Sequence, residues 1–171
     1  MLNLQPIFER QEKLDAAFVK ERGLEGINLT ANTTTALYVE LGELANEIEF
    51  FKHWKVNRKQ DNIHDRWEEF ADCMHFLPSI GNMYGHTDFV LSRMGQEIIK
   101  TGLEYDIMHN TTLNQLFNAI YKTDFSNQVD YTHALAELIR IGQLIGMDFD
   151  DMYEAYKAKN DKNYNRIANK Y

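Results

Sequence analysis

The spacing of hydrophobic residues predicts helices along most of the chain. From about Thr30 to Lys55, apolar residues recur three and four positions apart, which is the repeat of one face of an α-helix. A second strong stripe of this kind runs from about Ile63 to Tyr84. Other periodic stretches predict helices at 6–20, 88–100, 112–121 and 128–145, and from 149 onward.

The same pattern predicts the fold class. No run of alternating apolar and polar residues, bounded by turn signals, indicates a strand. The chain has only two prolines, and its nine glycines fall mostly between the periodic segments. We therefore expect an all-α fold, with an antiparallel helical bundle as the core and additional helices packed on it, forming one domain over residues 1–171.

Composition and charge exclude several classes of function. Eighteen Lys and Arg against 26 Asp and Glu give a formal charge of -8, which argues against a protein that binds duplex nucleic acid. No stretch approaches the roughly 18 apolar residues of a membrane span, and no signal peptide is visible. Cys73 is the single cysteine, so an intrachain disulfide is impossible. These features predict a cytoplasmic protein without a membrane or nucleic-acid partner.

Acidic residues repeat at helical spacing beside the apolar stripe of both long helices: Glu40, Glu43 and Glu47 on the first, and Asp65, Glu69 and Asp72 on the second. Carboxylates at the margin of a core repel one another unless a cation lies among them. If the two helices are neighbours, an oxygen-only cluster forms that suits Mg²⁺ or Mn²⁺ better than Zn²⁺. For any one of these pairs a solvated acidic face is the default interpretation, and the metal site depends on both helices having the pattern, so the spacing alone leaves both interpretations open.

The last helix has the complementary charge. Lys159, Asn163 and Arg166 share one face, with Asn160 and Tyr156 beside them. Cations flanked by amides are what a phosphate tail and a hydrogen-bonding base require. The alternative is a polar C-terminal helix whose cations offset its dipole.

Aromatic residues near both acidic motifs offer stacking surfaces for a base. Trp54 lies about 16 Å along the first long helix from Glu43, if that helix is continuous to Lys55. Phe76 follows Asp72 by one turn. Each ring by itself is also typical of a helical core. Other chemistries lack their signatures, because neither Glu-x-x-His, which a di-iron bundle needs, nor a Gly-rich phosphate loop occurs in the chain.

Four motifs in order resemble those of the dimeric all-α dUTPase family, within the wider group of all-α nucleoside triphosphate pyrophosphatases. The first resembles the segment whose Gln helps to recognise the base. The second and third resemble the two acidic motifs, and the fourth resembles the closing Lys-Asn-x-x-Asn-x-x-Arg. The matching segments are Gln11–Asp15, Glu40–Lys55, Glu68–Phe76 and Tyr156–Arg166.

The resemblance implies an enzyme that hydrolyses dUTP, and also dUDP, to dUMP. Two or more Mg²⁺ ions, replaceable by Mn²⁺, would be held by Glu40, Glu43, Glu69 and Asp72. The catalytic carboxylates would be Glu43 and Glu40, with Glu43 favoured as the base that deprotonates the attacking water. The substrate-binding residues would be Gln11, Glu47, Trp54, Phe76, Lys159, Asn160, Asn163 and Arg166. The resemblance also implies a homodimer.

Two other functions stay open. One is a broader dNTP pyrophosphatase on the same scaffold, acting on dCTP or modified nucleotides. The other is a helical regulatory or interaction protein without catalysis. Val39 stands where the wider group often has a Glu, so a supporting acid would be either missing or replaced by Glu47. Residues 87–145 contain none of these site residues, and we expect that inserted portion to provide a cover or dimer contacts.

Overall fold

The structure, a computed structural model, describes residues 2–59 and 62–169. Over these residues the chain forms helices and no strand, which confirms the predicted all-α fold. None of the described helices is long and apolar enough to cross a membrane. The ends of the predicted domain, residues 1, 170 and 171, lie outside the described part. The helices are α1 (Gln5–Arg22), α2 (Thr30–Ile48), α3 (Ile63–Tyr84), α4 (Thr87–Leu91), α5 (Arg93–Met108), α6 (Leu113–Tyr121), α7 (Gln128–Leu144) and α8 (Phe149–Ala168).

The centre of the fold is the pair α2 and α3. The connection after α2 returns to the end of that helix, where Lys59 forms an ion pair with Glu47, so the two helices run antiparallel. Helices α1 and α8 pack against α3 and against each other. The interface between α2 and α3 is apolar, as the periodic stripes predicted, and its fully buried side chains include Leu37, Leu41, Leu44, Phe70, Met74 and Leu77.

Helix α2 is shorter than its hydrophobic pattern predicted. It ends at Ile48 rather than Lys55, because Glu49 adopts a left-handed conformation with φ of 58°. The Glu49 side chain is buried and forms ion pairs with Lys52 and Lys55, and it accepts a hydrogen bond from the main-chain N–H of Lys59 at 3.1 Å. These bonds offset the strain of a positive φ and turn the chain away from the helix axis.

The segment from α4 to α7 forms a second packed group beside the central pair. The stretch predicted as one helix at 88–100 is divided at Ser92, whose extended backbone ends α4 and whose Oγ accepts from the N–H of Gly95 at 3.2 Å to begin α5. Helices α5 and α6 both pack on α7, and α7 packs on α3. The role of this segment as a cover or dimer surface stays a prediction.

Candidate active site

A cleft of about 550 Å³ opens between α1, α2, α3 and α8. Its walls combine charged and polar side chains with apolar ones such as Leu14, Phe18 and Met83. Both acidic motifs and the C-terminal cationic face contribute to it. The lining residues on which the chemistry depends are Gln11, Asp15, Glu40, Glu43, Glu69, Asp72, His75, Phe76, Ser79, Lys159, Asn163 and Arg166.

Three carboxylates form the charged end. Glu40 and Glu43 lie one turn apart on α2, and Glu69 faces them from α3. One carboxylate oxygen of each lies within 4.8 Å of the others, and we call this group the carboxylate trio. The antiparallel pairing of α2 and α3 is what brings these residues together, since each helix places its acids at the edge of the shared core.

Burial and mutual repulsion shape the titration of the trio. The pKa of Glu40 rises from 4.5 to about 7, first because burial disfavours the charged form and then because Asp72, Glu43 and Glu69 are close. The pKa of Glu69 rises to about 7 for the same two reasons. A divalent cation relieves both effects, because it replaces lost water ligands and neutralises the charges. The oxygen-only composition fits a hard cation such as Mg²⁺.

Asp72, the fourth predicted ligand, lies beside the trio but pairs with a lysine. Its Oδ2 is 2.5 Å from Nζ of Lys159, which also lies 3.0 Å from Oε1 of Glu68. Burial raises the pKa of Asp72, and the hydrogen bond from Lys159 opposes that rise. The structure therefore brings three of the four predicted ligands into one group and places the fourth at the boundary between acids and cations.

Helix α8 forms the cationic wall of the cleft. Lys159 is 7% exposed although it is charged, because its ion pairs with α3 compensate for lost hydration. Asn163 and Arg166 line the cleft, and Nη1 of Arg166 donates to Oδ1 of Asn163 at 3.0 Å. Asn160 is not among the lining residues; it is 1% exposed, and its Nδ2 has no hydrogen-bond partner among the described residues.

The opposite end of the cleft, which we call the α1 end, is formed by Gln11, Asp15, His75, Phe76 and Ser79. Gln11 and Phe76 were predicted there, whereas the other three were assigned no role from the sequence. The available signals were weak: Asp15 follows Gln11 by four residues on α1, and His75 follows Asp72 by three on α3. Those spacings place each pair on one helix face, but they do not show that the two faces meet.

Besides Asn160, two other predicted site residues do not line the cleft. Glu47 forms an ion pair with Lys59 at 2.6 Å, at the end of α2. Trp54 is 64% exposed on the connection after α2, with its ring against Phe51 and His53. The expectation that Trp54 continues the helix of Glu43 is wrong, because Glu49 ends α2 six residues after Glu43.

Comparison with known families agrees with this geometry. The model of the dUTPase family matches residues 3–171. A comparison with curated protein sequences gives no significant match. The family match indicates a nucleotide pyrophosphatase with an all-α fold. Because it spans almost the whole length of the sequence, including both acidic motifs and the cationic face of α8, this chain belongs to the dUTPase family.

Proposed function

We propose that this protein is a Mg²⁺-dependent dUTP diphosphatase that hydrolyses dUTP to dUMP and pyrophosphate, and dUDP to dUMP and phosphate. The observation that carries the proposal is the cleft itself, in which the carboxylate trio faces Lys159, Asn163 and Arg166. An acidic pocket repels a polyanion, whereas an acidic pocket that holds divalent cations binds one. Family membership supports the nucleotide substrate.

Glu40, Glu43 and Glu69 would hold the cations, with Asp72 joining them once Lys159 moves to a phosphate. When bound, Mg²⁺ neutralises phosphate charge and lowers the pKa of a coordinated water. Two or more ions fit the number of carboxylates, and Mn²⁺ has the same preference for oxygen ligands.

The chain's own residues orient the reactants. In the hydrolysis, the oxygen of water forms a bond to phosphorus, the bridge between the α- and β-phosphates breaks, and a proton leaves the water. Glu43, the most exposed carboxylate of the trio, is placed to accept that proton, with Glu40 as its partner on α2. Lys159 and Arg166 pair with phosphate oxygens, and Asn163, which is in contact with Arg166, fixes its direction.

The α1 end would receive the base. Phe76 offers a ring face, and Gln11 and Asp15 offer hydrogen-bonding groups in a pocket otherwise lined by apolar side chains. Trp54 would contribute only through a movement of its connection or from a second subunit. Asn160, buried with an unused N–H group among the described residues, would contact the nucleotide after a small rotation of its side chain.

A homodimer is part of the proposal. Helix α5 exposes Met94, Tyr105 and Met108, which are 65%, 57% and 71% exposed and share one face of the helix. Exposed apolar faces of this kind are typical of interfaces. Analytical ultracentrifugation should give twice the chain mass, and Met108→Lys should shift the protein towards monomer.

A panel of dUTP, dUDP, dCTP and dTTP, each with and without Mg²⁺, tests the function. We expect dUMP and pyrophosphate from dUTP only with metal, and a preference for dUTP over dCTP of at least about 100-fold. Similar rates on dCTP would favour the broader dNTP pyrophosphatase. No release of pyrophosphate from any nucleotide would favour a non-catalytic regulatory protein.

A further inference from the structure

A carboxylate that the proposed reaction does not use lies behind the cationic wall of the cleft. Oε1 of Glu68, on α3, accepts a hydrogen bond from Nζ of Lys159 at 3.0 Å. The same oxygen also accepts from Nζ of Lys162. Lys159 has a second acidic partner in Asp72, whose Oδ2 lies 2.5 Å from Nζ. One buried ammonium group is therefore in contact with two carboxylates.

The two acidic partners of Lys159 lie on opposite sides of the contact between α3 and α8. Asp72 lines the cleft, whereas Glu68 lines a second cavity of about 330 Å³, which we call the α3–α8 cavity. Lys159 lines both of them. The other walls of the α3–α8 cavity include Trp67, Ala71, Ala155 and Ala158. Lys159 thus separates the cleft from this cavity, with one acid on each side.

Substrate binding affects the two acidic partners differently. In the proposed reaction Asp72 joins the cations and Lys159 pairs with a phosphate oxygen, so the ion pair between these two residues breaks. Glu68 lies outside the cleft and stays beside Lys159 in both states. A lysine that is only 7% exposed needs a counter-charge when the phosphate leaves. Glu68 provides that counter-charge before the cations have left Asp72.

Glu68 and a phosphate oxygen compete for the same ammonium group. An ammonium has three N–H donors, and a carboxylate oxygen 3.0 Å away occupies one of them and offsets part of the positive charge. A phosphate therefore binds Lys159 less tightly than it would if Glu68 were neutral. This weakening applies to pyrophosphate, the product, as well as to dUTP. Tight binding of a product slows its release, which in many enzymes limits turnover.

We infer that Glu68 is a positioning residue for product release: from the α3–α8 cavity it competes with phosphate oxygens for Nζ of Lys159, and so it weakens the hold of the cleft on pyrophosphate. The inference deepens the proposed function and rests on it for the presence of a phosphate chain in the cleft. Glu68 itself need not touch the substrate or a metal ion, since it acts through Lys159.

Calorimetric binding of magnesium pyrophosphate to the full chain measures this competition directly. Glu68→Gln keeps the size of the side chain and removes its charge, and we expect the Kd for pyrophosphate to fall about fivefold. A residue that only held Lys159 in place would have the opposite effect, because its loss would raise the Kd. In steady-state kinetics, KM for dUTP and the inhibition constant of pyrophosphate should both fall in Glu68→Gln, with kcat at or below the wild-type value.

Two controls separate the contact with Lys159 from a change in overall charge. Glu154 on α8 has a side chain that is 62% exposed and paired with Lys157, so Glu154→Gln makes the same change in charge away from the cleft. It should alter the Kd for pyrophosphate by less than about twofold. In a Lys159→Gln background, Glu68→Gln should also have less than about a twofold effect, because the group that it competes for is gone. Thermal unfolding identifies any variant that fails to fold, and Glu68→Ala, with the same expected direction, then replaces Glu68→Gln.

The binding measurement makes the outcome independent of hydrolysis. Tighter binding of pyrophosphate by Glu68→Gln that disappears in the Lys159→Gln background supports the inference, even if no nucleotide is hydrolysed and the proposed function fails. Weaker or unchanged binding by Glu68→Gln overturns it, as does equal tightening by Glu154→Gln or tightening that persists without Lys159. A wild-type protein that binds no magnesium pyrophosphate overturns it as well. In each of these cases dUTP hydrolysis, which is measured separately, can still stand.

Discussion

Carboxylates lie close together in two regions of this molecule, and only one of them has the features of an active site. In the cleft, Glu40 and Glu69 have pKa values raised to about 7. Between α5 and α7, Glu137 also has a pKa raised to about 7, first by burial and then by the nearby charge of Asp106. The direction and size of the shift are alike in both places.

The two regions differ in geometry. In the carboxylate trio, oxygens from three residues lie within 4.8 Å of one another and open into a cleft, where Lys159 faces them from α8. Asp106 is 8% exposed, and neither it nor Glu137 lines the cleft. A perturbed carboxyl pKa therefore does not by itself identify a catalytic site in this protein. In the trio, by contrast, three potential ligands also converge on an accessible volume.

The largest expected effect comes from removing one ligand of the trio. Glu43→Gln should lower kcat for dUTP by about 100-fold or more, because an amide neither binds Mg²⁺ as a carboxylate does nor accepts the proton of water. The matched change outside the cleft is Glu137→Gln, which removes a carboxylate with a similarly raised pKa. Steady-state pyrophosphate release measures both. Comparable losses in the two variants would contradict the contrast between the regions.

Loss of the cation that faces the trio should have a smaller effect. Lys159→Gln removes a phosphate partner and a counter-charge of Asp72, so kcat/KM for dUTP should fall about tenfold, the equivalent of roughly 1.4 kcal/mol. Lys162→Gln is the control, since Lys162 shares the partner Glu68 but is half exposed and does not line the cleft. If Lys162→Gln reduces kcat/KM as strongly, the loss is caused by the change in overall charge and not by the loss of a contact in the cleft.

Stabilisation by Mg²⁺ should depend on pH. Because the pKa values of Glu40 and Glu69 are raised on folding, the metal-free native state binds more protons than the unfolded state between about pH 4.5 and 7. The free energy of unfolding of the metal-free protein therefore falls as the pH rises through that window. Bound Mg²⁺ offsets this loss. At a concentration 100 times its Kd, Mg²⁺ should add about 2.7 kcal/mol, a Tm increase of roughly 5–10 °C at pH 8.

At pH 5.5 protons compete with the metal, so the increase in Tm should be less than half of that at pH 8. Differential scanning calorimetry at the two pH values measures the effect. The Glu137→Gln variant should keep the Mg²⁺-dependent increase in Tm at pH 8, whereas the Glu43→Gln variant should lose most of it. An increase in Tm that is equal at both pH values would show that Mg²⁺ binds elsewhere.

The smallest expected effect is on the stability of the Asp106–Glu137 region. The raised pKa of Glu137 means that its charged form destabilises the fold above about pH 7. Glu137→Gln should therefore raise Tm by about 2 °C at pH 8 and leave it unchanged at pH 5. A lower Tm at pH 8 would mean that the carboxylate has a stabilising partner that the amide cannot replace.

The sequence predicted the regular part of the fold well because local patterns determine it. The bounds of α3, Ile63–Tyr84, follow from its apolar stripe and its flanking polar and glycine residues. Asp148 begins α8 with a capping box, as its position at the start of that helix indicates. The acids of α2 and α3 were placed correctly at the edge of the core, since periodicity alone fixes the helix face of each residue.

The end of α2 could not be predicted in this way. The apolar pattern continues through Phe50 and Phe51, and nothing local breaks it. What ends the helix is a set of bonds to Glu49 from residues up to ten positions later, including the N–H of Lys59. The position of Trp54 depends on that set, so the error in one helix end also misplaced Trp54 relative to Glu43.

By itself, the sequence determined an all-α chain with carboxylates at the margins of two long helices and cations on the last one, because hydrophobic periodicity assigns residues to helix faces. Only the tertiary structure decided which faces meet. It joined Gln11, His75 and Tyr156 from three helices into one hydrogen-bonded chain, and it paired Asp72 with Lys159 rather than with the trio. Those contacts link residues 64 to 87 positions apart, and helical spacing carries no information over such separations.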